Sequence, residues 1–483
     1  MPLYLLLMLL SNDVREEFIK RSHDPYQILC IRSLTDSSSH RKDAADALVA
    51  LNPHNAVAPV RLAMHLSRDA RERAFLARLL LELGHSDKRV LAAMQELFES
   101  DETETEWLRL RREMEFRGPL GERAAPLTSA LARRIKHCDS TRGGEESSFL
   151  IGSGKADGQA ISAVVALLKR SCANNSQRAE TNCLLIVLAL QLTGPQAKDA
   201  IPTLETMLKD KSTFLAAHAA AALTVISPGH RGAADFVKNI AGGSSDSTRW
   251  ALGAVLAYSK MHEDLRIAGA KSILEDPASN ADDLWLAFQC LAAIGTHAKS
   301  IAPLAKRYLQ HKDAIVQIHA ATALCAMDQA EEKAGVAVLL AALKGNDPTL
   351  SRIAVDRCNR LIKPPVGLLP GLQMALVHSD YTTVATAART ILRVKPNDPE
   401  TMQSVTKLLR EGVPRQPNDM FDRTAAAKGQ AINVIAEFPM LFPQVRNDLI
   451  SLLRTADSIY WPSVARAIAA IDSGSPKKDS IAP

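Results

Sequence analysis

A hydrophobic residue ends an apolar helical stretch, just before a charged or polar turn, at nearly constant intervals along this chain. These residues form the series Leu208, Ile240, Leu274, Leu309, Leu343, Leu376, Leu409 and Leu453. The steps between them are 32, 34, 35, 34, 33, 33 and 44 residues. A regular period in this range indicates supersecondary units that stack on their neighbours. The sequence therefore predicts an all-α fold, a right-handed α-solenoid of stacked antiparallel helix pairs.

The chain also matches itself directly when it is shifted by 101 residues, which is three periods. Gly194 then falls on Gly295, and Pro202 falls on Pro303. The segment His218-Ala219-Ala220 falls on His319-Ala320-Ala321 without a gap. In the clearest unit, apolar spacing predicts a first helix over residues 197–209 and a second over residues 213–226. Neither helix can bury its apolar face alone, so neighbouring units must supply the partner surface.

Composition agrees with closely packed helices. Aromatic residues make up only 4% of the 483 residues, and Ala and Leu, the strongest helix formers, are abundant. The net charge of +5 is small for this length, so an ordinary mixed-charge surface is expected and nucleic-acid binding is not. The seven cysteines form no C-x-x-C pair, which is typical of reduced, buried thiols and not of a zinc site.

The composition along the chain suggests four regions. Residues 1–137 are predicted to be helical but irregular, as terminal repeats often are. The Ser- and Gly-rich stretch 138–158 is predicted to be a surface loop or linker. The repeat array covers 159–472 and carries a Pro-rich insertion at 411–420. Residues 473–483 offer nothing to bury and are expected to form a disordered tail.

The apolar N-terminus is too short to span a bilayer. It also lacks the basic region and cleavage site of an export signal. We expect residues 1–11 to form an apolar helix that packs on the next one, with a truncated export signal as the alternative. The expected location is cytoplasmic.

The repeat unit resembles short HEAT-like repeats of the phycobilisome-lyase type. The resemblance covers about 300 residues and rests on a Gly followed by Ala-Lys and a first-turn Pro, and on a second-helix Ala-Ala-x-Ala-Leu. The residues are Gly194, Ala197, Lys198, Pro202, Gly295, Ala298, Lys299, Pro303, Ala219 to Leu223 and Ala320 to Leu324. The Asp and Arg that are usual around the inter-helix turn are mostly replaced. This resemblance implies a fold and not an activity.

A HEAT-like array is expected to be a non-catalytic scaffold that binds protein partners along its concave surface. Aromatic side chains are enriched at binding hot spots, and the candidate anchors are Trp250, Trp285, Tyr308, His319, Tyr381 and Trp461. Burial between repeats is an alternative for Trp250 and Trp285. A different class remains open, a HEAT-fold enzyme or enzyme subunit that is bilin-lyase-like or DNA-glycosylase-like. A basic concave face with aromatic residues would favour the glycosylase, and a deep pocket with convergent acids would favour the lyase.

Motifs that could carry chemistry are weak. Gly152-Ser153-Gly154-Lys155 is followed by Ala156, whereas a phosphate loop needs Ser or Thr there. His262-Glu263 is a single His-Glu pair, while HEAT-fold di-iron hydroxylases need several. We therefore predict no catalytic residue, no metal and no cofactor, and no small-molecule substrate is evident.

Overall fold

The fold is known from a computed structural model of the chain. It describes residues 12–36, 38–98, 132–138, 143–144, 147, 158–174, 176–210, 212–241, 263–412, 423–454 and 460–474. These residues form helices and connecting turns, and no strand occurs among them. The predicted all-α class is confirmed at this level. The described residues fall into two compact units.

Unit 2 lies within residues 68–305. Its helices are α5 (Ala70–Glu82), α6 (Lys88–Phe98), α7 (Gly158–Cys172), α8 (Gln177–Thr193), α9 (Ile201–Met207), α10 (Thr213–Ile226), α11 (Arg231–Ala241), α12 (Glu263–Glu275) and α13 (Ala281–Ile294). Short 3-10 helices, Gly194–Ala200 and Gly295–Ile301, follow α8 and α13. Neighbouring helices pack in chain order, α7 on α8, α8 and α9 on α10, α10 on α11, α11 on α12 and α12 on α13.

Unit 1 combines residues from 1–67 with residues from 306–483, so its boundary with unit 2 falls inside α14 (Ala302–Arg307). Its N-terminal helices are α1 (Asn12–Arg21), α2 (Pro25–Thr35), α3 (Ser38–Leu51) and α4 (Pro53–Leu66). The others are α15 (Ala314–Met327), α16 (Glu332–Lys344), α17 (Pro348–Arg360), α18 (Leu369–Met374), α19 (Tyr381–Val394), α20 (Pro399–Glu411), α21 (Arg423–Glu437), α22 (Arg446–Leu453) and α23 (Trp461–Ser473).

Polar N-caps set the start of a regular series of helices. The caps of α8, α10, α13, α15, α17 and α19 are Ser176, Ser212, Asn280, Asp313, Asp347 and Asp380. Each side chain accepts a hydrogen bond from a backbone N–H of its first turn. Four of these helices, α10, α13, α15 and α19, have 14 residues each. Short polar acceptors at near-constant spacing therefore start each of these helices, because they satisfy N–H groups that the helix cannot.

The hydrophobic series that predicts the period lies where the first helix of each pair ends. Leu274, Leu343, Leu409 and Leu453 are at most 3% exposed. The predicted second helix, residues 213–226, coincides with α10. The predicted first helix, 197–209, differs. The chain leaves α8 at Gly194 with φ +65° and passes through a 3-10 helix before α9 begins at Ile201.

The N-terminal hairpin of unit 1 packs on the C-terminal helices of the chain. Helix α3 contacts α23, and α2 contacts α22. The pair α2–α3 therefore packs on the pair α22–α23. The sequence places residues 1–137 in one region, but the structure assigns the described residues before 68 to unit 1 and those after it to unit 2.

The described part of the predicted linker is packed against helices. Gly143, Gly144 and Ser147 are buried, and the Gly144 N–H donates to Asn182 Oδ1 of α8 at 2.7 Å. A surface loop is therefore not what these three residues form. Residues 148–157, the insertion at 413–420, the N-terminal 1–11 and the tail beyond 474 lie outside the described residues.

Candidate functional site

Trp461 occupies the junction between the two ends of unit 1. It is the first residue of α23 and is fully buried. The Arg32 guanidinium of α2 lies 4.7 Å from its ring centroid, and the His40 ring of α3 lies 6.0 Å away. Trp461 is therefore not an exposed residue, and the partner-anchoring role predicted for it does not fit its position. Its apolar ring is buried by other residues of the same chain.

Hydrogen bonds reinforce the same junction. Arg32 Nη2 donates to the carbonyl oxygen of Arg454 at 2.9 Å. The Arg454 guanidinium donates in turn to the carbonyl oxygen of Ser22 at 2.8 and 3.0 Å. These contacts join residues more than 400 positions apart in the sequence. A charged group that satisfies backbone carbonyls at a partly buried site stabilises this contact more than a surface ion pair would.

His319 also lies inside the fold. It is 7% exposed on α15, and its counterpart in unit 2, His218 on α10, is 2% exposed. Desolvation lowers the pKa of each imidazole to about 4. Both rings are therefore neutral at pH 7. The internal repeat thus places equivalent histidines in equivalent buried positions, and His319 offers little surface to a partner.

Tyr308, Tyr381 and Trp285 are partly accessible. Tyr308 stacks on His311 with the ring centroids 6.0 Å apart. Tyr381 is the first residue of α19, and the Arg423 guanidinium of α21 lies 6.0 Å from its ring centroid. Among these candidate anchors, Tyr381 therefore lies beside a basic residue of another helix, α21. Trp250 lies outside the described residues.

The second helices of unit 1 form one continuous row of contacts, which we call the second-helix row. It consists of α15, α17, α19, α21, α23 and α3, and each helix contacts the next. From α17 to α23 the row carries eight basic and three acidic side chains. These are Arg352, Arg357, Arg360, Arg389, Arg393, Arg423, Lys428 and Arg466, against Asp356, Glu437 and Asp472.

The matching first helices are nearly neutral. Helices α16, α18, α20 and α22 carry five basic and four acidic side chains. The excess of positive charge in these four pairs is therefore concentrated on the second helices. Arg352 and Arg360 are exposed, and Arg357, Arg389, Arg423, Lys428 and Arg466 are partly exposed. Large exposed hydrophobic residues are absent from the described parts of α17, α19, α21 and α23, so the row presents a polar, basic surface.

Polar contacts hold the basic side chains between neighbouring helices. Arg389 Nε donates to Glu437 at 2.6 Å, which links α19 to α21. Arg393 donates to the carbonyl oxygens of Asn359, Leu361 and Ile362 at 2.6–2.7 Å and so caps the C-terminus of α17. Cationic side chains are favourable at this negative end of a helix dipole. The positions of the Arg389 and Arg393 guanidinium groups are thus fixed by contacts with a neighbouring helix.

The described residues include no cluster of three or more His, Cys, Asp or Glu side chains that could hold a metal ion. None of the helices described is long and apolar enough to cross a bilayer.

Of the His262-Glu263 pair, only Glu263 is described. Glu263 accepts a hydrogen bond from His297 at 2.5 Å within unit 2, and its sequence neighbour His262 lies outside the described residues.

The sequence matches no family model, and no curated protein matches it significantly.

The sequence did not lead us to predict that the second-helix row carries a basic surface. The net charge of the whole chain is only +5, and the positive residues are spread over more than 100 positions. The signal was nevertheless present. In the four helix pairs from α16 to α23, the basic excess is five on the second helices and only one on the first helices, so counting charge by helix position there would have found it.

Proposed function

We propose that this protein is a non-catalytic interaction scaffold whose helix pairs are HEAT-like repeats of a right-handed α-solenoid. The proposal is supported by the N-caps that recur every 33–36 residues, or twice that, between Ser176 and Asp380. It is also supported by the contacts of each second helix with the next in unit 1. Arrays of this kind offer an extended surface to which each unit contributes a few contacts.

The observation that carries the proposal is the excess of five positive charges on the second-helix row from α17 to α23. A partner that lies along the row would be attracted by this charge and steered to it. We propose an acidic protein segment as the partner. The exposed arginines Arg352 and Arg360 suit carboxylates, since a guanidinium can donate two parallel hydrogen bonds to one carboxylate.

The same charge also favours the alternative of nucleic-acid binding, of the DNA-glycosylase-like kind. That alternative requires aromatic side chains on which bases can stack. Two aromatic residues belong to the helices α15–α23 of the row, Tyr381 and Trp461. Trp461 is fully buried and Tyr381 lies beside Arg423. Asp356 and Glu437 are also interspersed in the row, and for these reasons the acidic protein segment is preferred.

Charge reversal on the row tests the proposal. The variant Arg352→Glu/Arg360→Glu changes two exposed row residues, and Lys344→Glu/Lys407→Glu changes two exposed residues of first helices by the same charge. Binding of a fluorescent oligo-glutamate peptide is measured by anisotropy at about 0.15 M salt, where charges more than about 8 Å from the peptide are largely screened. The row variant should bind about tenfold more weakly, since the two lost contacts and two new repulsions together amount to about 1.4 kcal/mol.

The Lys344→Glu/Lys407→Glu control should bind within about twofold of the wild type, because long-range effects of surface charge are screened. Equal losses in both variants would show that binding depends on net charge and not on the row. Tighter binding of a duplex DNA of the same charge than of the peptide would overturn the protein partner in favour of nucleic acid.

A further inference from the structure

Two cysteine thiols meet at the turn of a helix hairpin in unit 2. Cys172 is the last residue of α7, and Cys183 lies in the first half of α8. Their Sγ atoms are 3.5 Å apart. A disulfide bond is about 2.05 Å long, so a small rotation of the side chains would bring the two sulfur atoms to bonding distance. Both residues are free thiols in the structure.

A second contact holds the two helices in register at this point. Ser171 and Asn182, the residues that precede the two cysteines, are buried. Asn182 Nδ2 donates to Ser171 Oγ at 2.9 Å, and Asn182 Oδ1 accepts from the Gly144 N–H at 2.7 Å. Because this polar chain is buried, breaking it would leave unsatisfied groups. The proximity of the thiols therefore does not depend on the cysteine side chains alone.

The two thiols differ in accessibility and acidity. Cys172 is partly exposed, whereas Cys183 is 1% exposed. The hydrogen bond from the Cys183 thiol lowers the pKa of Cys172, and the same bond together with burial raises the pKa of Cys183. By contrast, burial raises the pKa of Cys30 and of Cys325 to about 12. A nucleophilic thiol needs access, and a lowered pKa favours its thiolate form; Cys172 is partly exposed, and its pKa is shifted in that direction.

We propose that Cys172 and Cys183 are a peroxide-sensitive oxidation site, with Cys172 as the attacking and Cys183 as the resolving thiol. The Cys172 thiolate attacks one oxygen of hydrogen peroxide, the O–O bond breaks, and hydroxide leaves, which gives a sulfenic acid. The Cys183 sulfur then attacks Cys172 Sγ and displaces hydroxide. The two thiol protons neutralise the two hydroxides, so two thiols and one peroxide give one disulfide and two waters. The bond would fasten the end of α7 to α8.

The test uses the full-length protein, reduced and then exposed to dilute hydrogen peroxide. Remaining thiols are alkylated, and the disulfide is located by peptide mass spectrometry without reduction. We expect a linked pair of peptides that contain Cys172 and Cys183, and a mass loss of about 2 Da that dithiothreitol reverses. The alkylatable fraction of both residues should fall together, about tenfold faster than that of Cys290, which is 4% exposed and lacks thiolate character.

Two variants keep the result decisive. In Cys183→Ser the resolving thiol is gone, so Cys172 should remain a sulfenic acid that reacts with dimedone. In Cys290→Ser, the matched control, the 172–183 disulfide should form as in the wild type. The proposal is overturned if, after the folded protein has been treated with peroxide and then unfolded, both thiols are still alkylated, or if Cys183→Ser and the wild type give the same product at Cys172. A disulfide that appears only after denaturation would overturn it as well.

Discussion

Two parts of unit 1 achieve the same packing in different ways. From α15 to α19 each second helix begins at an aspartate cap, Asp313, Asp347 or Asp380, and contacts the next second helix. At the junction, α23 begins at Tyr460 without a side-chain cap, and α3 reaches it from the other end of the chain. There, Arg32 lies over the Trp461 ring, and Arg32 and Arg454 each donate to a backbone carbonyl oxygen. Local signals such as the aspartate caps therefore build the regular part, while single long-range contacts add the N-terminal hairpin.

The largest expected effect is at the junction. Trp461→Ala removes a fully buried indole and should lower the free energy of unfolding of unit 1 by about 3–5 kcal/mol, because the cavity cannot close. Urea denaturation, followed by circular dichroism, measures the change. Trp285→Ala, at a partly exposed tryptophan, is the control and should cost less. An equal loss of unfolding free energy in the two variants would show that Trp461 stabilises the fold no more than a partly exposed tryptophan does.

An intermediate effect on stability is expected from a change of pH. It concerns one buried histidine in each unit. The pKa of His218 and His319 is about 4 in the folded state and about 6.5 when unfolded. Between these values the unfolded chain binds more protons, so stability falls as pH drops from 6.5 towards 4. Each histidine should contribute about 2 kcal/mol of loss between pH 7 and pH 5.

Denaturation midpoints at pH 7 and pH 5 measure this loss for each unit. His218→Leu and His319→Leu should each remove its own share of the pH dependence, and the double variant should remove both. If the single variants keep the full pH dependence of the wild type, the buried imidazoles are not its source.

The smallest effect is expected at a single cap of the regular part. Asp347 accepts from the backbone N–H groups of Thr349 and Leu350 at 2.8 and 3.2 Å. Asp347→Ala should lower stability by about 1 kcal/mol, while Asp347→Asn, which keeps the acceptor, should cost a few tenths. The midpoint of urea denaturation distinguishes them. If Asp347→Ala lowered the free energy of unfolding as much as Trp461→Ala does, a single helix cap would matter as much as the buried tryptophan, which would contradict the account.

The regular part could be predicted from the sequence because its causes are local. Thr213–Ile226 follows from a cap, an apolar face and a turn within 20 residues. The first helix of that pair could not be placed as well, because Gly194 adopts a positive φ and diverts the chain through a 3-10 helix. Trp461 was misplaced on the surface for another reason. Its neighbours Arg32 and His40 lie more than 400 positions away, where spacing carries no information.

The candidate site was only partly foreseen. Tyr308 and Tyr381 are accessible, as binding residues must be, and His319 and Trp461 are buried. The basic row emerges only when Arg360, Arg389 and Arg423 are assigned to adjacent second helices. Charge on one helix says little about partners, whereas charge summed over helices in contact defines a surface.

Hydrogen–deuterium exchange of the full-length protein tests most directly whether the second-helix row continues from α23 to α3. Exchange is compared between the wild type and Trp461→Ala under native conditions, peptide by peptide. If α3 packs on α23, the variant should exchange faster in peptides from Ser38–Leu51 as well as in Trp461–Ser473, with little change in Ala314–Met327. Faster exchange confined to the C-terminal helices, with Ser38–Leu51 unchanged, would contradict the account.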